Sequence, residues 1–164
     1  MPRKPTTGRR ALTDAEYAAL GDFRWSMRQF LHFSDDGARE QGLSSQQHQA
    51  LLAIRSHPGP EAMTIGGLAD RLLIKNHSAL ELVARMADGG LVERSVSQED
   101  RRRTLLRILP RGVAILEAIS LRNLGQLKET ADILADILET VRRLDRHAAR
   151  TAAGDPPPGP ESRS

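Results

Sequence analysis

From Met63 to Leu109, short segments of different period follow one another with tight punctuation, and their order constrains the fold more than any other feature of the chain. Met63-Thr64-Ile65 reads as a short extended piece. Thr64 caps a helix that runs through Leu72, and the turn Leu73-Ile74-Lys75 leads at once into another helix from about Asn76 to Ala87. Gly89-Gly90 ends that helix. Leu91 to Val96 then reads as a strand, Ser97 to Arg102 as a polar turn and Arg103 to Leu109 as the returning strand. Two short helices joined by a tight turn and followed by a hairpin with a charged tip predict a winged helix-turn-helix. The second of these helices is short enough to lie in a major groove of DNA. The first packs across it and fixes its angle, and the hairpin reaches the neighbouring minor groove.

The flanks are helical. Thr13 and Glu16 are spaced for a capping box at the start of a helix that runs to about Gln41, where Gly42 stops it. Along it Leu20, Phe23, Met27, Phe30 and Leu31 recur at helical spacing. Ser44 and Gln47 form a second capping box, Leu51, Leu52 and Ile54 supply an apolar face, and His57-Pro58-Gly59-Pro60 ends the segment. Pro110 suits the first turn of a last helical region. There Val113, Leu116, Ile119, Leu124 and Leu127 form one stripe, and Ile133, Leu134, Ile137, Leu138, Val141 and Leu144 another. This is more apolar surface than one small domain covers, which predicts a partner, most simply a second copy in a two-fold dimer.

The expected fold class is mainly α with a small β-hairpin wing. The expected organisation is a flexible basic arm over 1–11, a single domain over 12–150 and a disordered Pro- and Gly-rich tail over 151–164. Within the domain, the winged helix-turn-helix occupies about 44–109, and dimerisation helices occupy about 12–41 and 110–148.

Composition removes several alternatives. With no cysteine, the chain has no disulfide framework, thiolate zinc site, cysteine nucleophile or cysteine-based oxidation sensor. One Trp, one Tyr and three Phe are too few for a reader that stacks single-stranded bases. No stretch approaches the roughly 20 apolar residues of a membrane span, and the basic N-terminus is not followed by an apolar signal core. A cytoplasmic protein that does not bind membrane is expected. No phosphate-binding Gly-rich loop, nucleophile motif or metal-ligand spacing stands out, so neither an enzyme nor a metal or other cofactor is expected. The net charge of +3 permits nucleic-acid binding without demanding it. Its placement says more: Lys75 to Arg111 holds eight Lys/Arg against five Asp/Glu, with the excess around the hairpin.

Candidate contacts to double-stranded DNA follow from that placement. Arg101, Arg102 and Arg103 occupy the hairpin tip; as a solvated run they carry no function, but beside a helix-turn-helix they face DNA. Alternation along a strand turns only two of the three that way. Lys75, in the turn, is placed for a phosphate. Asn76 reads as the N-cap of the following helix, and His77 and Ser78 reach base edges or phosphates from its start. Arg85 adds a basic group to the same helix. Glu81 either accepts a hydrogen bond from cytosine or pairs with Arg85 one turn later.

Four segments together resemble the MarR family of winged helix-turn-helix regulators. Thr64-Ile65-Gly66-Gly67-Leu68-Ala69-Asp70-Arg71-Leu72 is similar to the family's L-x-E-L-A-x-x-L helix. Leu82-Val83-Ala84-Arg85-Met86-Ala87-Asp88-Gly89-Gly90-Leu91-Val92-Glu93-Arg94 resembles the end of its recognition helix. Asp100-Arg101-Arg102 matches the wing signature D-x-R, and Arg107-Ile108-Leu109-Pro110-Arg111-Gly112 is similar to L-T-P-x-G. The resemblance covers about Leu12 to Arg146. It departs at Glu81, where relatives often carry Arg or another polar residue, and at Leu109, where the usual Thr would cap the next helix.

The resemblance implies a homodimeric regulator, a repressor or an activator, straddling a pseudo-palindromic operator. It assigns Arg102 to a minor groove and Asp100 to orienting it. It also implies release by a small aromatic or anionic effector. His32 and His48 lie near where the family's effector pocket forms, and Trp25, Arg28 and Arg55 could help bind an aromatic anion there. Packing and solvation are the plainer roles of these five. The rival to a DNA regulator is a winged-helix module that binds another protein, because Asn76 to Asp88 carries one Arg against two acidic residues.

Overall fold

Three of the helices begin on a side chain that satisfies their free N–H groups. At the start of α1 (Asp14–Glu40), Thr13 Oγ1 accepts from the Glu16 N–H, and the Glu16 carboxylate accepts from the Thr13 N–H at 2.7 Å. Ser44 and Gln47 make the same reciprocal pair at α2 (Ser45–Arg55). Thr64 accepts from the Gly67 N–H at 3.0 Å to open α3 (Ile65–Leu72). These contacts place the helix starts where the sequence predicts them. Gly42, at φ +74°, ends the first turn-away: Leu43 N–H bonds back to the Ala38 carbonyl and Gly42 N–H to that of Arg39.

The computed structural model describes residues 11–58 and 61–152. The expected arm, apart from Ala11, and the expected tail beyond Ala152 lie outside the described residues. After α3 come α4 (Asn76–Asp88), β1 (Val92–Val96), β2 (Thr104–Ile108) and α5 (Pro110–Ala152). The strands pair antiparallel from Val92 with Ile108 to Val96 with Thr104. Both stripes of the last helical region lie on the one helix α5, which includes Thr151 and Ala152; the tail expectation began two residues too early.

The chain divides into two compact units, one of Phe30–Leu127 and the other of the flanking segments through Gln29 and from Lys128. The core of the first is aliphatic. Leu51, Leu68, Leu82, Val83, Met86, Val92, Leu106 and Ile119 are essentially inaccessible, so every element from α2 to α5 contributes. In α2 the buried face is His48, Ala50, Leu51 and Ala53, while Leu52, expected inside, faces out. A helix buries a stripe narrower than the apolar run Leu51-Leu52. Also in this unit, the Arg122 guanidinium sits over the Phe33 ring at 4.5 Å and pairs with Glu40, and Asn123 Nδ2 donates to Ser34 Oγ at 2.8 Å. In the other unit, Ala19 of α1 and Ile137 of α5 are buried and line a common cleft.

His48 is buried, with Nε2 lacking any hydrogen-bond partner. Burial pushes its pKa below the ordinary 6.5, against the opposing pull of the Asp35 carboxylate. The unfolded chain therefore binds the proton more readily than the fold does. Stability is complete above about pH 6.5 and falls with pH below it, until the depressed folded value is passed. Urea unfolding across this window is expected to show that limb in the wild type and a flatter one in His48→Gln.

Candidate nucleic-acid interface

The turn of the helix-turn-helix is built on a strained residue. Leu73 takes up the left-handed conformation, φ 55° and ψ 39°, which lets the Ile74 N–H close onto the Ala69 carbonyl at 3.0 Å. Glycine is the usual residue for such a position, and a branched side chain there costs about 1–2 kcal/mol. Leu73 recovers little by packing, since it is 93% exposed. Leu73→Gly is accordingly expected to raise stability by about 1 kcal/mol, read as a higher midpoint of thermal unfolding.

Directly after this turn α4 begins without a side-chain cap. Lys75 holds the N-cap position in extended conformation and makes no capping hydrogen bond. Asn76, expected as the cap, is the first helical residue instead; the tight closure at Ile74 brings the helix start forward by one position. The first-turn N–H groups are thus open to an anion from outside. Lys75, Asn76 and His77 are exposed and Ser78 half-buried around them. Ala79, Leu82, Val83 and Met86 form the buried face of α4, so His77, Leu80, Glu81, Arg85 and Asp88 lie on the outward side. Glu81 and Arg85 do not form the expected i,i+4 pair: each is exposed, and among the described residues no ion pair joins them. An exposed pair of this kind is worth only a few tenths of a kcal/mol.

The wing loop is shaped by Ser97 and Asp100. Ser97 is buried, and its hydroxyl accepts from the N–H groups of Glu99 and Asp100, both at 3.3 Å. Asp100 Oδ1 accepts from the backbone N–H of Arg102 at 3.0 Å and from its Nε at 3.3 Å. One carboxylate thus fixes both the backbone and the guanidinium of Arg102, whose side chain is otherwise 93% exposed. Arg101 is exposed beside it. Arg103 turns back to Glu61, 3.6 Å away in the segment before α3. Below the tip, Glu93 and Arg107 pair across the strands at 2.5 Å.

Two contacts seat this wing on the helix-turn-helix. The Met63–Thr64 segment adds to the outer edge of β2, with Leu106 N–H donating to the Met63 carbonyl at 2.8 Å and Thr64 bridging Leu105. At the other end, Arg111 donates to the Gly89 carbonyl at 2.8 Å, placing a cation at the C-terminus of α4. Next to it, Gly112 lets α5 approach the Leu91 carbonyl more closely than any side chain would allow. Leu109 caps α5 with its backbone alone, its carbonyl accepting from Val113 at 3.0 Å.

Sequence reasoning missed Ser97, Glu61 and the Met63 edge. A signal for Ser97 was present, because Ser followed by Asp three residues on is a pattern of local side-chain-to-backbone turns. Nothing local marks Glu61 as the partner of Arg103.

The five residues considered for an effector fall in both units. Trp25 and Arg28, in one, are exposed. In the other, His32 is exposed beside Asp36 at 3.1 Å, Arg55 is exposed in the last turn of α2, and His48 is buried. An open cleft in that unit is lined by Gln49, Leu52, Ala53, Ser56, Arg71 and Leu72, and by none of the five.

Residues 41–103 match the model of the MarR family. No curated protein matches the chain. Among solved structures, AbsC, a MarR family transcriptional regulator from Streptomyces coelicolor, is similar over 88% of this chain and 99% of its own, with 20% identity and a TM-score of 0.66. MepR, a transcription regulator of the Staphylococcus aureus multidrug efflux pump MepA, is similar over 84% of this chain and 97% of its own, with 16% identity and a TM-score of 0.61. A crystal structure of the S. aureus MepR–DNA complex is similar over 74% of this chain and 97% of that one, with 18% identity and a TM-score of 0.55. The fold is that of the MarR family transcriptional regulators.

Proposed function

We propose that this chain, whose residues 41–103 match the MarR family, is a homodimeric transcriptional regulator, a repressor, that binds a pseudo-palindromic operator. The observation that carries this reading is the guanidinium of Arg102, held out at the wing tip by Asp100 in the same unit as the uncapped, outward-facing start of α4. A narrow minor groove concentrates negative potential and takes an arginine without base hydrogen bonds. The open N–H groups of α4, with Lys75, suit a phosphate at the edge of the major groove. Asn76, His77, Ser78 and Arg85 then face the duplex, Arg101 joins Arg102, and Arg103 contributes less because Glu61 already engages it.

Homodimerisation is supported by apolar side chains that remain exposed along α5, among them Leu121, Leu124, Ile133 and Leu138, and along α1, among them Leu20, Phe23 and Leu31. Two copies related by a two-fold axis would present two α4 helices to successive major grooves. Release by a small aromatic or anionic effector, and action as a regulator rather than an enzyme, rest on the family resemblance. Among the described residues no helix is long and apolar enough to cross a membrane, and the reading places the protein with the DNA, in the cytoplasm.

The acidic residues Glu81 and Asp88 on α4 favour a second reading, a winged-helix module that binds another protein. Fluorescence anisotropy with DNA from upstream of the gene separates the two. Sequence-preferring binding that weakens steeply between two salt concentrations, while scrambled DNA binds poorly, supports the regulator. Absence of binding to any duplex at low salt supports the protein-binding module.

A further inference from the structure

We infer that Glu81 and Leu80 of α4 set the base preference of the operator half-site, selecting a cytosine through the carboxylate and a thymine methyl through the leucine. The inference rests on the DNA-binding reading above and goes further, naming the sequence chemistry the helix accepts.

Ala79, Leu82, Val83 and Met86 are buried, and residues about half a turn from their centre point away from the core. Glu81 lies in the middle of that outward face, with Leu80 and Arg85 flanking it. Among the described residues no hydrogen bond or ion pair engages its carboxylate, although Arg85 is one turn away. Leu80 remains 46% exposed although the core lies on the adjoining face. An unpaired carboxylate and an unburied leucine side by side contribute little to the fold.

In a major groove each of these groups has a defined complement. A carboxylate only accepts hydrogen bonds, and phosphates surround the groove, so a base pair offering no donor leaves it repelled and desolvated. Cytosine offers its N4 amino group beside a C5–H. Adenine offers N6 beside the N7 acceptor, which faces a second carboxylate oxygen with like polarity. Guanine and thymine present only acceptors to a carboxylate there. Cytosine is therefore the base that satisfies Glu81. The C5 methyl of thymine is the apolar group that a leucine at the neighbouring position covers. Arg101 and Arg102 on the wing supply the sequence-independent attraction that offsets the repulsion of Glu81.

The test is selection of duplexes from a randomised library by the full-length wild type and by Glu81→Gln, followed by sequencing. Glutamine is nearly isosteric but pairs with adenine through N6 and N7. The wild type is expected to select a C·G pair at one position of each half-site. Glu81→Gln is expected to shift that position toward A·T by about tenfold, leave the other positions unchanged, and bind non-selected DNA more tightly for want of the negative charge. In a second arm, replacing the selected thymine by deoxyuracil is expected to weaken the wild type severalfold and Leu80→Ala not at all. Both side chains are exposed, so unchanged circular dichroism accompanies these results. The inference is overturned if wild type and Glu81→Gln select the same bases, or if the wild type binds DNA tightly and salt-sensitively without selecting cytosine. In either case the DNA-binding reading stands. Absence of binding to any duplex overturns both. Equal loss from deoxyuracil in wild type and Leu80→Ala removes the thymine contact.

Discussion

Gly112→Ala is expected to destabilise the protein by about 2–3 kcal/mol, although alanine is the better helix former. Two effects oppose each other at this site. Within a helix the exchange gains up to about 1 kcal/mol. Against that, a Cβ on residue 112 would lie 2.4 Å from the Leu91 carbonyl oxygen and 2.8 Å from Ile108 Cγ2. The first neighbour is backbone, held by its bond from Leu109 N–H at 2.9 Å, and cannot swing aside. The start of α5 must back away, which also strains the Arg111 bond to the end of α4. Gly125→Ala is the control: it lies in the same helix with nothing within 4 Å of its added Cβ, so only the propensity gain remains. Urea unfolding should move the two midpoints in opposite directions.

Arg102→Ala is expected to weaken operator binding tenfold or more, about 1–3 kcal/mol, without lowering thermal stability, because the side chain bonds to Asp100 and is otherwise exposed. Loss of one cation at the duplex should also reduce the salt dependence by about one counterion. Asp100→Ala separates position from charge. Removing a carboxylate beside DNA would by itself raise affinity, so a fall in affinity shows that holding Arg102 outweighs the charge gained. Arg103→Ala should matter less than Arg102→Ala. Titrations by fluorescence anisotropy at two salt concentrations measure all three.

Local chemistry made much of this fold legible in advance. Thr13, Ser44 and Thr64 announce helix starts because capping depends on residues three apart, and Gly42 and Gly90 adopt the positive φ that ends a helix or turns the chain. The charged wing tip was visible for the same reason. What escaped depends on contacts distant in sequence or on backbone strain. The sequence puts Leu73 in the turn but does not mark it as the left-handed residue that closes the turn and moves the N-cap of α4 from Asn76 to Lys75. The expected Glu81–Arg85 pair has the right spacing and does not form, since exposed charges gain little from meeting. Leu52 belongs to an apolar run but falls outside the stripe α2 buries. The partnership of Arg103 with Glu61, and the Met63 edge on β2, follow only from the packed hairpin. His48 could be placed on α2 by sequence, but its burial could not.

The most direct test is a hydroxyl-radical footprint of the wild type and Arg102→Ala on the selected operator. Binding through two α4 helices and two wings gives a pair of protected blocks about one helical turn, 10–10.5 base pairs, apart, flanked by minor-groove protection that disappears in Arg102→Ala. A single block, or flanks that persist without Arg102, would contradict it.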